Sequence, residues 1–317
     1  MAAIGAAPEA KKKAYCRWHS RLIAFILLSF DYDVVTPGAP LSNWKQLSPS
    51  IYHHLPMGPA FGITDVGLVR PSNEDNFLID AELGLLIVGD GMGGHDGGEI
   101  ASASALNAIR DCVRASSEAS ASALPSVLAD DPDATWSDTK MPAVKTLFDA
   151  LEFANAQLYA QNLANHYGEG RGMGTTVTGL WRCTNKPLLV VFHVGDSRLY
   201  RHRDGKLSTL TRDQTLYQQA IDSGAVDHLP ARNLLLQAVG PGSSIKPVVR
   251  AYPYQVGDVY LLCSDGLYGD APFDAIENIL QGTLAQTLEQ SCEALIALAK
   301  AHGSRDNITA LLLLCER

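Results

Sequence analysis

No two of the six cysteines stand at Cys-x-x-Cys spacing; Cys16, Cys112, Cys183, Cys263, Cys292 and Cys315 are scattered along 317 residues. That spacing excludes a thiolate zinc site and the disulfide framework of a small secreted domain, and it fits a reducing cytoplasm. A basic excess is also lacking. With 25 Lys and Arg against 34 Asp and Glu, the formal charge is −9, the wrong sign for a nucleic-acid binder. Nor is there an apolar run of the ~20 residues that span a bilayer, since the longest near the N-terminus is Leu22–Phe30, LIAFILLSF. It follows Lys11, Lys12, Lys13, Arg17 and Arg21, as in a secretory signal, but no small-x-small cleavage site comes after it. Residues 1–56 are therefore read as an N-terminal extension, with Met57 an alternative start and 57–317 the catalytic domain. Internal repeats, an EF-hand loop and a Cys-x5-Arg phosphate loop are absent as well.

What is present is a hydrophobic content of 46 %, enough to fill a sizeable core. From Phe61 onward, strand-length runs alternate with turn residues. FGITDVGLV, NFLID and LGLLIVGD read as an antiparallel meander. Helical periodicity follows over about 99–114, with Ile100, Leu106, Ile109 and Val113 on one face and Asp96 or a nearby glycine as the cap. Residues 115–139 read as a linking loop, and 143–166 as a second helix. Further strands are expected at 175–183, 188–194, 248–252, 259–263 and 307–315, a hairpin at RLYRHRDGKL, and helices at 213–225, 272–282 and 284–302. LLVVFHV at 188–194 is apolar enough to be buried on both faces. Strands grouped in this way, rather than alternating singly with helices, indicate an α+β fold with antiparallel sheets.

Acidic residues recur at strand ends and turns: Glu74 and Asp75 in RPSNEDN, Asp90 in VGDGMGGH, Asp265 in LLCSDGL and Asp306 in SRDNIT. Each alone is compatible with turn chemistry. A carboxylate abutting a buried strand is costly unless paired or bound to metal, and an all-oxygen set without paired Cys or His selects Mg²⁺ or Mn²⁺ over zinc. Glycine at Gly91 lets a metal approach the backbone carbonyl.

In order along the chain, R-P-S-N-E-D (70–75), D-G-M-G-G (90–94), G-M-G-T-T (172–176), G-D-S-R (195–198), S-D-G-L (264–267) and D-N-I-T (306–309) resemble the motif set of the metal-dependent protein phosphatases of type 2C, in their bacterial form. The resemblance runs from about residue 60 to the C-terminus. It implies a four-layer α-β-β-α sandwich with two central antiparallel β-sheets, two Mn²⁺ or Mg²⁺ ions in a cleft, and hydrolysis of phosphoserine and phosphothreonine in proteins. By motif position, Asp90 bridges both metals, Glu74 and the Gly91 carbonyl serve one, and Asp265 and Asp306 the other. Asp75 orients metal-bound water, and Arg70 holds the phosphate. Two metals lower the pKa of bound water so that hydroxide can attack phosphorus in line. A cognate Ser/Thr kinase, a cytoplasmic location and no membrane span complete the expectation.

The sequence departs from the family pattern in two places. Met92 stands where eukaryotic relatives have a histidine proposed as general acid, which leaves the leaving-group proton unassigned, with His95 nearby. A third, weaker metal often uses an aspartate just before G-M-G-T-T; here Glu169 is the local candidate. Asp196 and Ser197 read as a tight turn, Cys263 as a buried strand cysteine, and 211–236 as a flap beside the cleft. The rival readings are a silent phosphoprotein-binding module, disfavoured by the complete carboxylate set, and a two-metal nuclease, disfavoured by the acidic balance.

Overall fold

Strand alternation sets the architecture. In Leu85–Gly89 (β4), Leu86 and Val88 enter one hydrophobic cluster while Leu85 and Ile87 enter another. Leu188–Val194 (β8) divides the same way, with Leu189 and Val191 on one side and Val190, Phe192 and Val194 on the other. Both strands are apolar throughout because each of their faces is covered. In the computed structural model, residues 50–93, 97–119, 141–183 and 187–316 are described, all within the unit Gln46–Arg317.

The first sheet has six antiparallel strands in the order β1-β2-β13-β12-β9-β10, formed by Ser50–Leu55 (β1), Gly58–Asp65 (β2), Ile308–Leu314 (β13), Val259–Cys263 (β12), Arg198–Arg203 (β9) and Lys206–Thr209 (β10). The second has five, β11-β8-β7-β4-β3, adding Val248–Pro253 (β11), Val177–Arg182 (β7) and Asn76–Asp80 (β3). Phe77, Leu86, Leu180 and Val191 from the second sheet share a buried cluster with Leu199, Tyr260, Leu262 and Leu311 from the first. Outside the second sheet lie Gly97–Ala119 (α1) and Pro142–Ala164 (α2), whose buried Ala105, Ile109, Leu147 and Leu151 pack on it. Outside the first lie Phe273–Gln281 (α5) and Leu288–Ala301 (α6), through Ile276, Leu280, Leu295 and Ile296. This is the expected four-layer α-β-β-α sandwich.

Three local expectations change. The meander through FGITDVGLV, NFLID and LGLLIVGD does not form, because β2 pairs with β1 and β13 while β3 pairs with β4 in the other sheet. Strand β2 also ends at Asp65, leaving Val66–Val69 as a turn. On α1, the buried stripe runs through Ala101 and Ala105, with Ile100 only half buried, and the helix continues to Ala119 instead of giving way to a loop near 115. The N-terminal run LIAFILLSF, His95, the Asp96 cap and residues 120–139 of the linking segment lie outside the described residues.

The expected boundary at residue 57 falls inside the first sheet. Residues 50–55 pair with β2 from Ser50↔Ile63 to Leu55↔Gly58, and Leu55 is 1 % exposed. A chain starting at Met57 loses this strand and bares the edge of β2. Burying a leucine contributes about 1.5–3 kcal/mol, so that shortened chain is expected to unfold in urea with at least about 2 kcal/mol less stability than the full chain; equal stability would return β1 to the extension.

Candidate metal centre

Register brings the separated motifs together. Strands β2 and β13 align Asp65 with Ile308 and Thr64 with Thr309, and β12 and β13 align Cys263 with Ala310. Asp306 therefore lies beside the turn after β2, next to Asp265 at the start of the short helix Asp265–Tyr268 (α4). From the second sheet, β3 begins directly after Glu74 and Asp75, and β4 ends directly before Asp90.

A hydrogen bond from the Asp90 carboxyl partly offsets the upward shift of Asp265. Burial, reinforced by the charges of Asp75 and Asp265, holds Asp90 well above the usual carboxylate range. Burial and Asp306 also raise Asp265. Asp75, 4 % exposed, is pushed up to about 7 by burial, although Ser264 and Thr309 partly oppose the shift. Both hydroxyls donate to Asp75 Oδ2, at 2.6 and 2.7 Å. Asp196, assigned from sequence to a structural turn, joins this group: burial and then Asp265 push it up to about 8, and its charge acts on Asp90.

Arg70 Nη2 donates to Asp306 Oδ2 at 2.7 Å, with both side chains partly exposed. Glu74 is fixed through its backbone, whose N–H donates to Asn307 Oδ1 at 2.9 Å. A side chain at Gly91 would clash with the carbonyls of Gly98 and Glu74, and one at Gly98 with the Glu74 carboxylate. Gly91 and Gly98 thus let Glu74, Asp90 and the first turn of α1 share one small space. Among the described residues, no three His, Cys, Asp or Glu side chains are arranged to hold an ion as they stand. The donor set nevertheless fits hard cations. Buried carboxylates in contact cannot all ionise without a compensating positive charge, and only oxygen donors are at hand.

Small polar residues within the motifs supply the scaffold, and apart from Ser197, read as part of a tight turn, no role was read for them from sequence. The Asp90 N–H donates to Thr176 Oγ1 at 3.0 Å, while the Asp90 carbonyl accepts from the Thr176 N–H at 2.8 Å and Thr175 Oγ1 at 3.0 Å. Thr176 and Ser197 hydroxyls meet at 2.6 Å. Asn307 also donates to the carbonyls of Val66 and Ser72. Two of them carried a sequence signal, as polar residues directly beside acidic ones: Ser264 before Asp265 and Asn307 after Asp306. Cys263 is buried, its thiol pushed up to about 12 by burial, as befits a strand residue rather than a nucleophile. Glu169 accepts from Tyr159 at 2.6 Å on one oxygen and from Ser243 on the other, so the local third-metal candidate is already engaged in loop bonds.

A sequence profile described as protein phosphatase 2C matches residues 71–312. The chain belongs to the protein phosphatase 2C family. Over 255 residues it is 34 % identical to the serine/threonine protein phosphatase PstP of Mycobacterium tuberculosis, covering 78 % of this chain and 43 % of PstP, so it spans less than half the length of that relative. It is 32 % identical over 260 residues to the serine/threonine phosphatase stp of Listeria welshimeri, covering 78 % of this chain and 92 % of the relative. A crystal structure of the PstP catalytic domain in complex with two manganese ions superposes with a TM-score of 0.62 at 30 % identity, covering 81 % of this chain and 98 % of that one.

In this family member the segment expected as a flap contains Leu216–Asp222 (α3), capped by Thr215, whose hydroxyl accepts from the Gln218 N–H. Its root is tied to the core by His193, 1 % exposed on β8. The ring places Nε2 3.1 Å from the Arg212 carbonyl and Nδ1 2.8 Å from Thr178 Oγ1. Burial lowers its pKa to about 4, so His193 is neutral in the fold. An unfolded chain takes up this proton near pH 6.5 while the folded one does not. The contribution is thus fully present above about pH 6.5 and is lost as pH falls toward 4, by up to about 3 kcal/mol. Urea unfolding across that range should show His193→Gln losing this part of the slope; an unchanged slope would mean that His193 does not stay neutral in the folded state.

Proposed function

We propose that this chain is a Mn²⁺- or Mg²⁺-dependent phosphatase acting on phosphoserine and phosphothreonine in proteins, opposing a Ser/Thr kinase in bacterial signalling. The observation that carries the reading is the buried contact of Asp90 with Asp265, beside a buried Asp75, in a family member. Three such carboxyls in one dry place favour strong binding of positive charge. A structural relative in complex with two manganese ions supports two divalent cations as the cofactors. When bound, the pair supplies an activated water for in-line attack on phosphorus.

The residues of this chain divide the remaining work. Asp90 would serve both cations, Glu74 and the Gly91 carbonyl would hold one of them, and Asp265 with Asp306 would hold the other. Asp75 has one oxygen fixed by Ser264 and Thr309, leaving the second to orient the attacking water. Arg70 would exchange Asp306 for a substrate phosphate, since its side chain is about half exposed at 52 %. Met92 stands where a side-chain acid would be expected, so that position cannot supply the leaving group's proton. Glu169 is too engaged with Tyr159 and Ser243 to recruit a third metal. Among the described residues no helix is long and apolar enough to cross a membrane.

Release of phosphate from a phosphothreonine peptide should require Mn²⁺ or Mg²⁺ and stop with chelator, while a phosphotyrosine peptide is a poor substrate. Full activity in excess chelator after dialysis would sink the proposal. Two substitutions should fail in different ways. Asp90→Asn weakens Mn²⁺ binding by calorimetry and abolishes turnover at every substrate concentration. Arg70→Ala removes a charge-assisted contact of about 1.5–3 kcal/mol, lowering kcat/KM roughly 10- to 150-fold with Mn²⁺ affinity retained. Loss of Mn²⁺ binding in Arg70→Ala would mean that the two roles have been assigned wrongly.

A further inference from the structure

The run Val66-Gly67-Leu68-Val69-Arg70-Pro71 has the apolar content of a strand, yet it forms a turn whose side chains face solvent. Val66 is 38 % exposed, Leu68 63 % and Val69 53 %, Pro71 is exposed, and the Arg70 side chain stands open among them at 52 %. Scattered exposed leucines need no explanation, but here four exposed apolar residues fall within six consecutive positions that also hold an exposed arginine.

The turn has no freedom to fold these side chains away. Its first and last carbonyls, on Val66 and Ser72, both accept from the Asn307 Nδ2 group at 2.9 Å, and Asn307 is 5 % exposed. The Gly67 N–H donates to Asp65 Oδ1 at 2.8 Å, and Asp65 in turn accepts from Lys300 at 2.7 Å. Gly67 has φ +77°, and a side chain there would strike the Asp306 carbonyl, so the turn lies flat against the backbone of the metal centre. The apolar surface is therefore held rigid before any partner arrives, which lowers the ordering cost of binding.

We propose that this turn is the specificity surface of the enzyme, taking an aliphatic side chain one or two residues from the phosphorylated serine or threonine of a protein substrate. The inference rests on the reading of Arg70 as the phosphate grip. Leu68 and Val69 precede Arg70 by two residues and one, and an extended peptide advances about 3.3–3.6 Å per residue, so a neighbour of the phosphoresidue reaches them once its phosphate is on Arg70. A few side chains fall far short of the roughly 800 Å² per partner of a stable protein interface, which favours a peptide segment over a second copy of the chain. The turn itself carries no acidic side chain, and the nearby Asp65 is paired with Lys300; selection there is by apolar contact rather than by charge.

The test compares two phosphothreonine peptides that differ only in having leucine or serine on both sides of the phosphoresidue, assayed with Mn²⁺ on the full chain. The full chain should favour the leucine peptide in kcat/KM by about 5- to 10-fold, the scale of one or two partly buried aliphatic contacts. Leu68→Ser with Val69→Ser should bring the ratio close to one, and Leu68→Thr alone should give an intermediate ratio, with melting temperatures unchanged because the residues are exposed. Equal rates on both peptides in the unaltered chain, or a preference that survives the double substitution, would overturn the proposal. Hydrolysis of neither peptide would instead bring down the phosphatase reading, and this inference with it. A dimer that the double substitution converts to monomer would assign the patch to self-association and overturn the peptide reading.

Discussion

Everything in this protein is arranged around the cost of keeping Asp75, Asp90 and Asp265 out of water within reach of one another. Burial raises all three, and neighbouring carboxylates add to the shift: Asp265 and Asp306 on Asp75, Asp75 and Asp265 on Asp90, and Asp306 on Asp265. Such a group is stable either by retaining protons or by gaining cations. Among the described residues, Arg70 donates to Asp306 at the rim, and the donors to Asp75 are neutral hydroxyls. The centre is thus short of positive charge by construction, and a pair of divalent ions is the simplest remedy for an all-oxygen donor set.

The sandwich makes this possible because its sheets are continuous hydrophobic blocks to which acidic residues need be attached only at the ends. Strand β13 sits between β2 and β12, so Asp306 and Thr309 meet partners some 40 and 240 positions earlier in the chain. The opposite sheet brings Asp90 on the end of β4, held at its backbone by Thr175 and Thr176. Asn307 performs a similar duty at the rim, joining Glu74 to both ends of the turn that carries Arg70. Replacing any of these small polar residues would leave a buried partner unsatisfied, a larger penalty than the bond itself contributes.

Much of this was legible in the sequence. The strands NFLID, LLVVFHV and VYLLC appear at the residues their apolar content marked. Arg70, Glu74, Asp75, Asp90, Gly91, Asp265 and Asp306 come to one end of the sandwich as the motif order implied. Other features were hidden because local pattern does not encode pairing. Nothing in FGITDVGLV says that its partner is the last strand, 245 residues on at the Thr64–Thr309 contact. Strand β1 was missed because residues 50–55 mix polar and apolar side chains, as an edge strand does, with only Leu55 fully buried. Asp196 does sit in a turn, but nothing local shows that its carboxyl, 5 % exposed, is buried beside Asp265; the turn is set there by its packing against α4, where Tyr268 donates to the Asp196 carbonyl. Val66–Val69 misled for the opposite reason, since apolar side chains destined for recognition read like those destined for a core.

The most direct test of a centre built to be short of positive charge is thermal unfolding of the full chain with and without Mn²⁺, read by circular dichroism so that no substrate or turnover enters. Ligand that binds only the folded state raises the melting temperature with its concentration. The account predicts a clear upward shift in Mn²⁺ that chelator reverses and that Asp265→Asn greatly reduces. A melting temperature indifferent to saturating Mn²⁺ would contradict it.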